Sequence, residues 1–271
     1  MKRKGAAALA GRDALSTQLE NLKVTHTPSP VNTIAPLTNV SAMVELIQRV
    51  KNRRPGLPGM ATFHGFSGYG KTWAAIFAAN KARAYHVQVK SVWTRGKLCQ
   101  SILVEMGVRP EGTLSDMMDQ IGEQLSLSQR PLIIDEADFL VSKGMIEVVR
   151  DIHESSQAAI ILIGEERLPE KLKRWERVHG RMLDWVAAQP ASLTDTGHLA
   201  KLYAPGIIIA DDLMKALHEA SAGSIRRIGV NLDRVREHVT ATALPADAQV
   251  TLAQFGRNFF TGAAPAARKS A

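Results

Sequence analysis

The residues whose types and spacing carry the clearest chemistry are eight consecutive ones, Gly65-Phe66-Ser67-Gly68-Tyr69-Gly70-Lys71-Thr72. They match the pattern G-x-x-x-x-G-K-[ST] at every fixed position, after a short apolar run and before an Ala-rich helical pattern. Glycines let backbone N–H groups turn toward phosphate oxygens, and the start of the following helix adds positive potential. We predict that this loop binds ATP, with Lys71 on the β- and γ-phosphates and Thr72 on Mg²⁺.

A second group of chemically active residues ends the apolar run Leu132-Ile133-Ile134-Asp135-Glu136. Asp135 is predicted to hold the coordination sphere of Mg²⁺, and Glu136 to orient or polarise the water that attacks ATP. An Asp-Glu pair after an apolar run also suits a helix N-cap, so the catalytic interpretation depends on the phosphate-binding loop upstream. Together the two motifs predict an ATPase.

The elements that must position these residues alternate between strands and helices. Short apolar runs predict strands at 60–63, 84–89, 132–134, 159–163 and, more weakly, 182–187. Helical patterns occupy the intervals, at 71–81, 96–106, 114–125, 144–154 and 170–177. This alternation predicts an α/β fold in which a parallel sheet is flanked by helices.

The two ends of the chain differ from this alternating region. Prolines at positions 28, 30 and 36 exclude a helix across the first segment, and three helical patterns follow Pro190, at 194–203, 211–220 and 224–240. We therefore predict four parts. They are a basic flexible arm at 1–38, a nucleotide-binding α/β domain at 39–190, a helical lid domain at 191–260 and a disordered tail at 261–271.

The net charge of +8 is distributed unevenly along the chain. Residues 1–60 carry nine Lys/Arg and three Asp/Glu, and residues 81–110 carry six Lys/Arg and one Asp/Glu. Residues 111–170 reverse this balance, with four Lys/Arg and thirteen Asp/Glu. Two basic blocks beside an acidic one indicate a polyanion bound on one face, with chance clustering of surface charge as the alternative. No apolar run approaches the roughly 18 residues of a membrane helix, and the single Cys99 excludes an intramolecular disulfide.

With these motifs the chain resembles the AAA+ ATPases, P-loop NTPases with a helical lid. The resemblance implies that Arg226, in Gly223-Ser224-Ile225-Arg226-Arg227, touches the γ-phosphate as the sensor 2 residue; an exposed basic helix start is the alternative. Glu165 falls at the sensor 1 position, where the family usually has Asn, Thr or Ser. Two interpretations of Glu165 stay equally open: it senses phosphate, or it is a surface acid without that role. The resemblance also implies an arginine finger from a neighbouring subunit. Arg181 is the first candidate and Arg177 the second. The alternative for either residue is a solvated basic helix with no role in catalysis.

A closer resemblance is to the transposition ATPases of the phage Mu B and TnsC type. It covers roughly residues 32–241 and is carried by the runs Asp135-Glu136-Ala137-Asp138-Phe139-Leu140, Val148-Val149-Arg150-Asp151-Ile152-His153 and Ile163-Gly164-Glu165-Glu166-Arg167-Leu168. It implies an ATP-dependent homo-oligomer, a helical filament or ring on double-stranded DNA, that regulates the transposase of a mobile element. The expected location is the cytoplasm of a bacterial host, in association with the nucleoid and with no membrane partner.

The DNA itself is expected on the loop after the second predicted strand. Lys90, Arg95 and Lys97 lie there within the second basic block, and Lys143 is a further candidate. Because no base-reading helix is evident, binding is predicted to be largely independent of sequence. Two alternatives stay open: a replication helicase loader or initiator, marked by preference for single strands, and a signalling NTPase that switches a protein partner without DNA affinity.

Overall fold

The computed structural model describes residues 37–242, 244–245 and 248–263. The basic arm predicted at 1–38 lies outside the described residues except for its last two, and so does the predicted tail from residue 264 onward. Within the part of the chain that is described, no helix is both long and apolar enough to span a bilayer.

Five parallel strands form the central sheet in the order β2-β3-β4-β1-β5. The strands are β1 (Met60–His64), β2 (Tyr85–Gln88), β3 (Leu132–Asp135), β4 (Ile160–Gly164) and β5 (Met182–Ala187). β3 and β4 are buried along their whole length, which explains their continuous apolar runs, because helices cover both faces of a parallel sheet. The carboxyl ends of β1, β3 and β4 therefore meet at one edge.

Helices flank the sheet on two hydrophobic clusters. One cluster holds α1 (Thr38–Lys51) and α2 (Lys71–Ala82), and the other holds α3 (Arg95–Glu105), α4 (Leu114–Ser128) and α6 (Ile146–Ser156). Thr113 and Asp116 close the predicted capping box of α4 by reciprocal hydrogen bonds.

Two regions differ from the predicted helices. The helix predicted at 144–154 is α6, and a short helix that was not predicted, α5 (Asp138–Ser142), precedes it; Gly144, whose φ of +62° lies in the left-handed region, separates the two. The helix predicted at 170–177 is divided into α7 (Leu168–Leu172) and α8 (Glu176–His179) at Trp175, whose backbone leaves the helical region. In this second region the apolar spacing is helical, but the backbone conformation of one residue ends the helix.

The C-terminal part is built from α9 (Leu193–Tyr203), α10 (Asp211–Ser221) and α11 (Ile225–Thr242). The expectation that it is wholly helical is wrong in one detail, because β6 (Ile208–Ile209) pairs in parallel with β7 (Gln249–Val250) before α12 (Leu252–Phe255). Strands of two residues are too short to show an alternating pattern in the sequence. The first hydrophobic cluster continues into α10 and α11, so these helices pack on the α1 side of the sheet.

Candidate nucleotide site and basic surface

The phosphate-binding loop joins β1 to α2 at the carboxyl edge of the sheet. Gly68 and Gly70 have φ values of +90° and +78°, which favour glycine. A Cβ at Gly68 would lie 2.5 Å from Ser224 Oγ, and one at Gly70 would lie 2.5 Å from Ile225 Cδ1. The Ile225 N–H also donates to the Gly68 carbonyl at 2.8 Å. The glycines therefore allow both the curl of the loop and the close approach of α11.

Lys71 begins α2 and turns its ammonium back into the loop. Its Nζ donates to the carbonyl oxygens of Gly65 at 2.6 Å and Phe66 at 2.9 Å. Burial lowers the pKa of Lys71, and the nearby carboxylates of Asp135 and Glu136 oppose that shift. A positive charge held inside a ring of loop backbone is suited to a polyphosphate.

Thr72 and Asp135 meet where the loop faces β3. Thr72 Oγ1 donates to Asp135 Oδ2 at 2.8 Å, and the other oxygen of Asp135, which is 2% exposed, accepts the Glu136 N–H at 2.8 Å. A hydroxyl and a carboxylate are ligands that fit Mg²⁺, which is usually held by one or two protein oxygens together with phosphates and water. The described residues contain no cluster of three His, Cys, Asp or Glu that could hold a metal. Mg²⁺ bound by Thr72 and Asp135 would neutralise phosphate charge.

Glu136 follows the buried strand in an uncommon conformation. Its φ of +57° is left-handed, and such conformations cluster at functional sites. Burial raises the pKa of Glu136, the negative charges of Asp135 and Asp138 raise it further, and Lys71 opposes them. A raised pKa strengthens the carboxylate as an acceptor for a water proton.

The predicted Glu165 lies just beyond β4, between the other two loops. Its side chain pairs with Lys171 Nζ at 3.1 Å and is mostly exposed. Its backbone N–H donates to Asp138. The structure therefore places Glu165 at the carboxyl edge of the sheet, with both its amide and its carboxylate engaged by neighbouring residues.

A cleft of about 500 Å³ opens between the phosphate-binding loop and α11. The predicted Arg226 lines it, on the exposed first turn of α11. Trp73 and Tyr203 give the cleft aromatic walls, and sequence reasoning did not identify either residue. The only signal for Trp73 was its position directly after Thr72, on a helix face that is half exposed.

Asn39 is a second residue of the site that sequence reasoning missed. It is 3% exposed, and its Nδ2 donates to the carbonyls of Tyr69 at 2.8 Å and Gln189 at 2.7 Å. Its Oδ1 accepts the Gln189 N–H at 2.9 Å. Asn39 thus ties α1 to the phosphate-binding loop and to the segment that leads out of β5.

The two candidate finger arginines lie away from this edge. Arg181 directly precedes β5, and its carbonyl accepts the Met60 N–H, so it lies at the amino edge of the sheet, where its side chain pairs with Glu154. Arg177 is exposed on α8. Neither reaches the phosphate-binding loop of its own chain.

The predicted DNA-contacting residues come together on one surface. Arg95 donates to the Gly144 carbonyl at 3.3 Å, and Lys143 Nζ donates to the Trp93 carbonyl at 3.3 Å, which joins the loop after β2 to the loop after α5. We call Lys90, Arg95, Lys97 and Lys143 the basic surface; all four are exposed. Trp93 packs partly buried against the second hydrophobic cluster, as expected for an interior tryptophan.

Comparison with known proteins agrees with this architecture. Residues 53–172 match the family model described as an AAA domain. The fold resembles the Orc1 protein of Aeropyrum pernix solved in complex with DNA, with a TM-score of 0.53 and 17% identity over 80% of this chain and 62% of that one. It also resembles Cdc6p of Pyrobaculum aerophilum, with a TM-score of 0.55 and 14% identity over 79% of this chain and 65% of that one.

The fold is that of an AAA-type P-loop ATPase. Among curated proteins, the chain is 33% identical over 105 residues to the ribosomal protein uS12 methylthiotransferase RimO of Moorella thermoacetica, which is 37% of this chain and 23% of that protein. The chain spans less than two thirds of each of these three relatives. The matched AAA domain includes both the phosphate-binding loop and Glu136, so the family match and the candidate site refer to the same residues.

Proposed function

We propose that this ATPase assembles on double-stranded DNA in its ATP-bound form and regulates a transposase, with hydrolysis timing its release. The basic surface is the observation that carries the proposal. It places four cations, from the loop after β2, the first turn of α3 and the loop after α5, on one side of the molecule at the β2 end of the sheet. Exposed lysine and arginine side chains are what a phosphate backbone attracts.

The start of α3 strengthens the proposal. Arg95 and Lys97 lie in its first turn, and Thr94 caps the helix by accepting the Lys97 N–H at 3.3 Å. The remaining N–H groups of that turn and the two cationic side chains concentrate positive charge at the start of α3. Contacts of this kind hold phosphates without reading bases, so we expect similar affinity for unrelated sequences.

A replication initiator or helicase loader is the second candidate function. The likeness in fold to Orc1 and Cdc6p favours it at least as well as transposition, since one of those structures was solved with DNA. Fluorescence anisotropy with duplex and single-stranded DNA, in the presence of a slowly hydrolysed ATP analogue, separates the candidates. We expect tighter binding to the duplex; preference for the single strand would favour the initiator, and no binding to either would favour a signalling NTPase.

Assembly is proposed to complete the active site. Arg181 and Arg177 are remote from their own phosphate-binding loop, so they can stabilise transition-state charge only in a neighbouring subunit. Such an arginine can be worth about 10³–10⁵ in rate. We expect specific ATPase activity to rise with protein concentration and to rise further on duplex DNA.

A mixing experiment tests this shared site. The Arg181→Ala variant should bind ATP yet hydrolyse it slowly at any concentration. Adding Lys71→Ala protein, which still offers Arg181, should restore part of the activity. If the same mixture rescues Arg177→Ala instead, the finger is Arg177. Specific activity that does not depend on concentration would contradict the shared site.

A further inference from the structure

The end of β4 is joined to both catalytic loops by main-chain hydrogen bonds. The Gly65 N–H donates to the Gly164 carbonyl at 3.3 Å, and the Ala137 N–H donates to the Ile163 carbonyl at 2.8 Å. Gly65 opens the phosphate-binding loop, and Ala137 directly follows Glu136. The position of the β4 end therefore influences the distance between bound phosphate and the residue predicted to activate water.

Asp138 holds this strand end from the opposite side. Asp138 is 9% exposed; one carboxylate oxygen accepts the Glu165 N–H at 2.7 Å, and the other accepts Lys171 Nζ at 2.6 Å. Lys171 also reaches the Glu165 carboxylate at 3.1 Å. A side chain at Gly164 would collide with the Asp138 carboxylate, so the glycine is what lets the acid approach the strand.

We propose that Asp138 is a positioning residue for ATP hydrolysis, which fixes the turn after β4 and thereby aligns Glu136 with the phosphate-binding loop. Lys171 is its partner in this role. The ammonium balances the buried carboxylate and also pairs with Glu165, whose negative charge would otherwise stand beside the phosphates. The proposal rests on the ATPase assignment and on Glu136 as the water-activating residue.

The split between turnover and nucleotide affinity is a readout that a purely structural role would not produce. Asp138 contacts the turn after β4 through the Glu165 N–H and Lys171, and among the described residues it makes no hydrogen bond to those that hold the phosphates. Removing it should therefore lower kcat while nucleotide affinity is kept.

The test compares Asp138→Asn with Asp119→Asn, a matched change on the exposed face of α4. We expect Asp138→Asn to lower kcat by about 10- to 100-fold, since misplacement of about 1 Å is enough for such a loss. The dissociation constant for a non-hydrolysable ATP analogue should stay within about 2-fold, because the residues that hold the phosphates are untouched. Asp119→Asn should change neither value.

Lys171→Met supplies a second variant in which the buried acid is retained. It should lower kcat with nucleotide affinity unchanged, and the double variant should lose less activity than the product of the two single losses. If kcat is unaffected in Asp138→Asn and in Lys171→Met, the proposal is wrong. It is equally wrong if kcat and nucleotide affinity fall together. If Glu136→Gln loses activity while Asp138→Asn and Lys171→Met do not, the role of Glu136 is supported and only the role of Asp138 is excluded.

Discussion

The nucleotide site and the basic surface are built in opposite ways. At the nucleotide site, Lys71, Thr72 and Asp135 are engaged by named partners within 3 Å, and Asp135 is almost fully buried. On the basic surface, Lys90 and Lys97 are exposed, and Arg95 makes one long bond to a carbonyl. The first region works through fixed geometry and the second through accumulated charge. Substitutions should therefore act sharply in one region and gradually in the other.

The largest effect is expected from Lys71→Ala. The phosphates lose their principal cationic partner, and the carbonyls of Gly65 and Phe66 lose their donor. We expect ATP binding to be undetectable by isothermal titration calorimetry. Lys81→Ala, at the other end of the same helix, should bind normally. Normal binding by Lys71→Ala would mean that fixed geometry at the loop does not control affinity.

The next effect is loss of turnover in Glu136→Gln. An amide cannot accept the proton of the attacking water, and loss of a general base typically costs about 10²–10⁴ in rate. Binding of ATP should persist, because the loop and Thr72 are unchanged. Steady-state phosphate release and equilibrium binding separate the two properties, with Glu170→Gln on the surface as the control. Turnover near the wild-type rate would contradict the role of Glu136.

A smaller effect is expected from Asn39→Ala. The change removes the donor of two partly buried hydrogen bonds, to the carbonyls of Tyr69 and Gln189, which costs about 1–3 kcal/mol in all. The free energy of unfolding should fall by that amount in a urea titration, and ATP should bind more weakly because Tyr69 belongs to the loop. Asn80→Ala, exposed on α2, should change stability by less than about 0.5 kcal/mol. An equal change in both variants would show that Asn39 does not support the loop.

The smallest effect concerns pH and stability. Burial alone raises the pKa of Asp195, but hydrogen bonds from Ser192 and Thr38 outweigh it and leave the pKa below its ordinary value. The stability from this carboxylate is therefore present above about pH 4, the ordinary Asp pKa, and is lost as the pH falls through the lower pKa of the folded state. Asp195→Asn should be less stable at pH 7 and should depend less on pH below about 4. Parallel stability curves for the two proteins would contradict this.

Much of this architecture could be predicted from sequence because its signals are local. The strand ends, the loop glycines and the capping box of α4 depend on residues a few positions apart. The short helix α5 and the break at Trp175 were not predicted; at Trp175 the apolar spacing continues while the helical backbone does not.

The supporting contacts of the site could not be predicted, for a different reason. Asn39 meets Gln189 across 150 positions, and Asp138 meets Lys171 across 33. A single sequence contains no pattern that pairs such residues, since the fold alone brings them together. The basic surface lies between these cases: the sequence named all four of its residues, but only the fold places Lys143 beside the loop after β2.

Salt dependence of duplex DNA binding tests the central claim most directly. Three proteins are compared with a slowly hydrolysed ATP analogue: the wild type, the Lys90→Ala/Arg95→Ala/Lys97→Ala variant, and a control with Lys81→Ala, Lys201→Ala and Lys215→Ala, which removes the same charge elsewhere. We predict that the slope of log K against log salt falls by about 2.7 in the first variant, at about 0.9 per lost phosphate contact, and stays unchanged in the control. The first variant should also hydrolyse ATP at the wild-type rate without DNA. Equal slopes in all three proteins would contradict DNA binding at the basic surface.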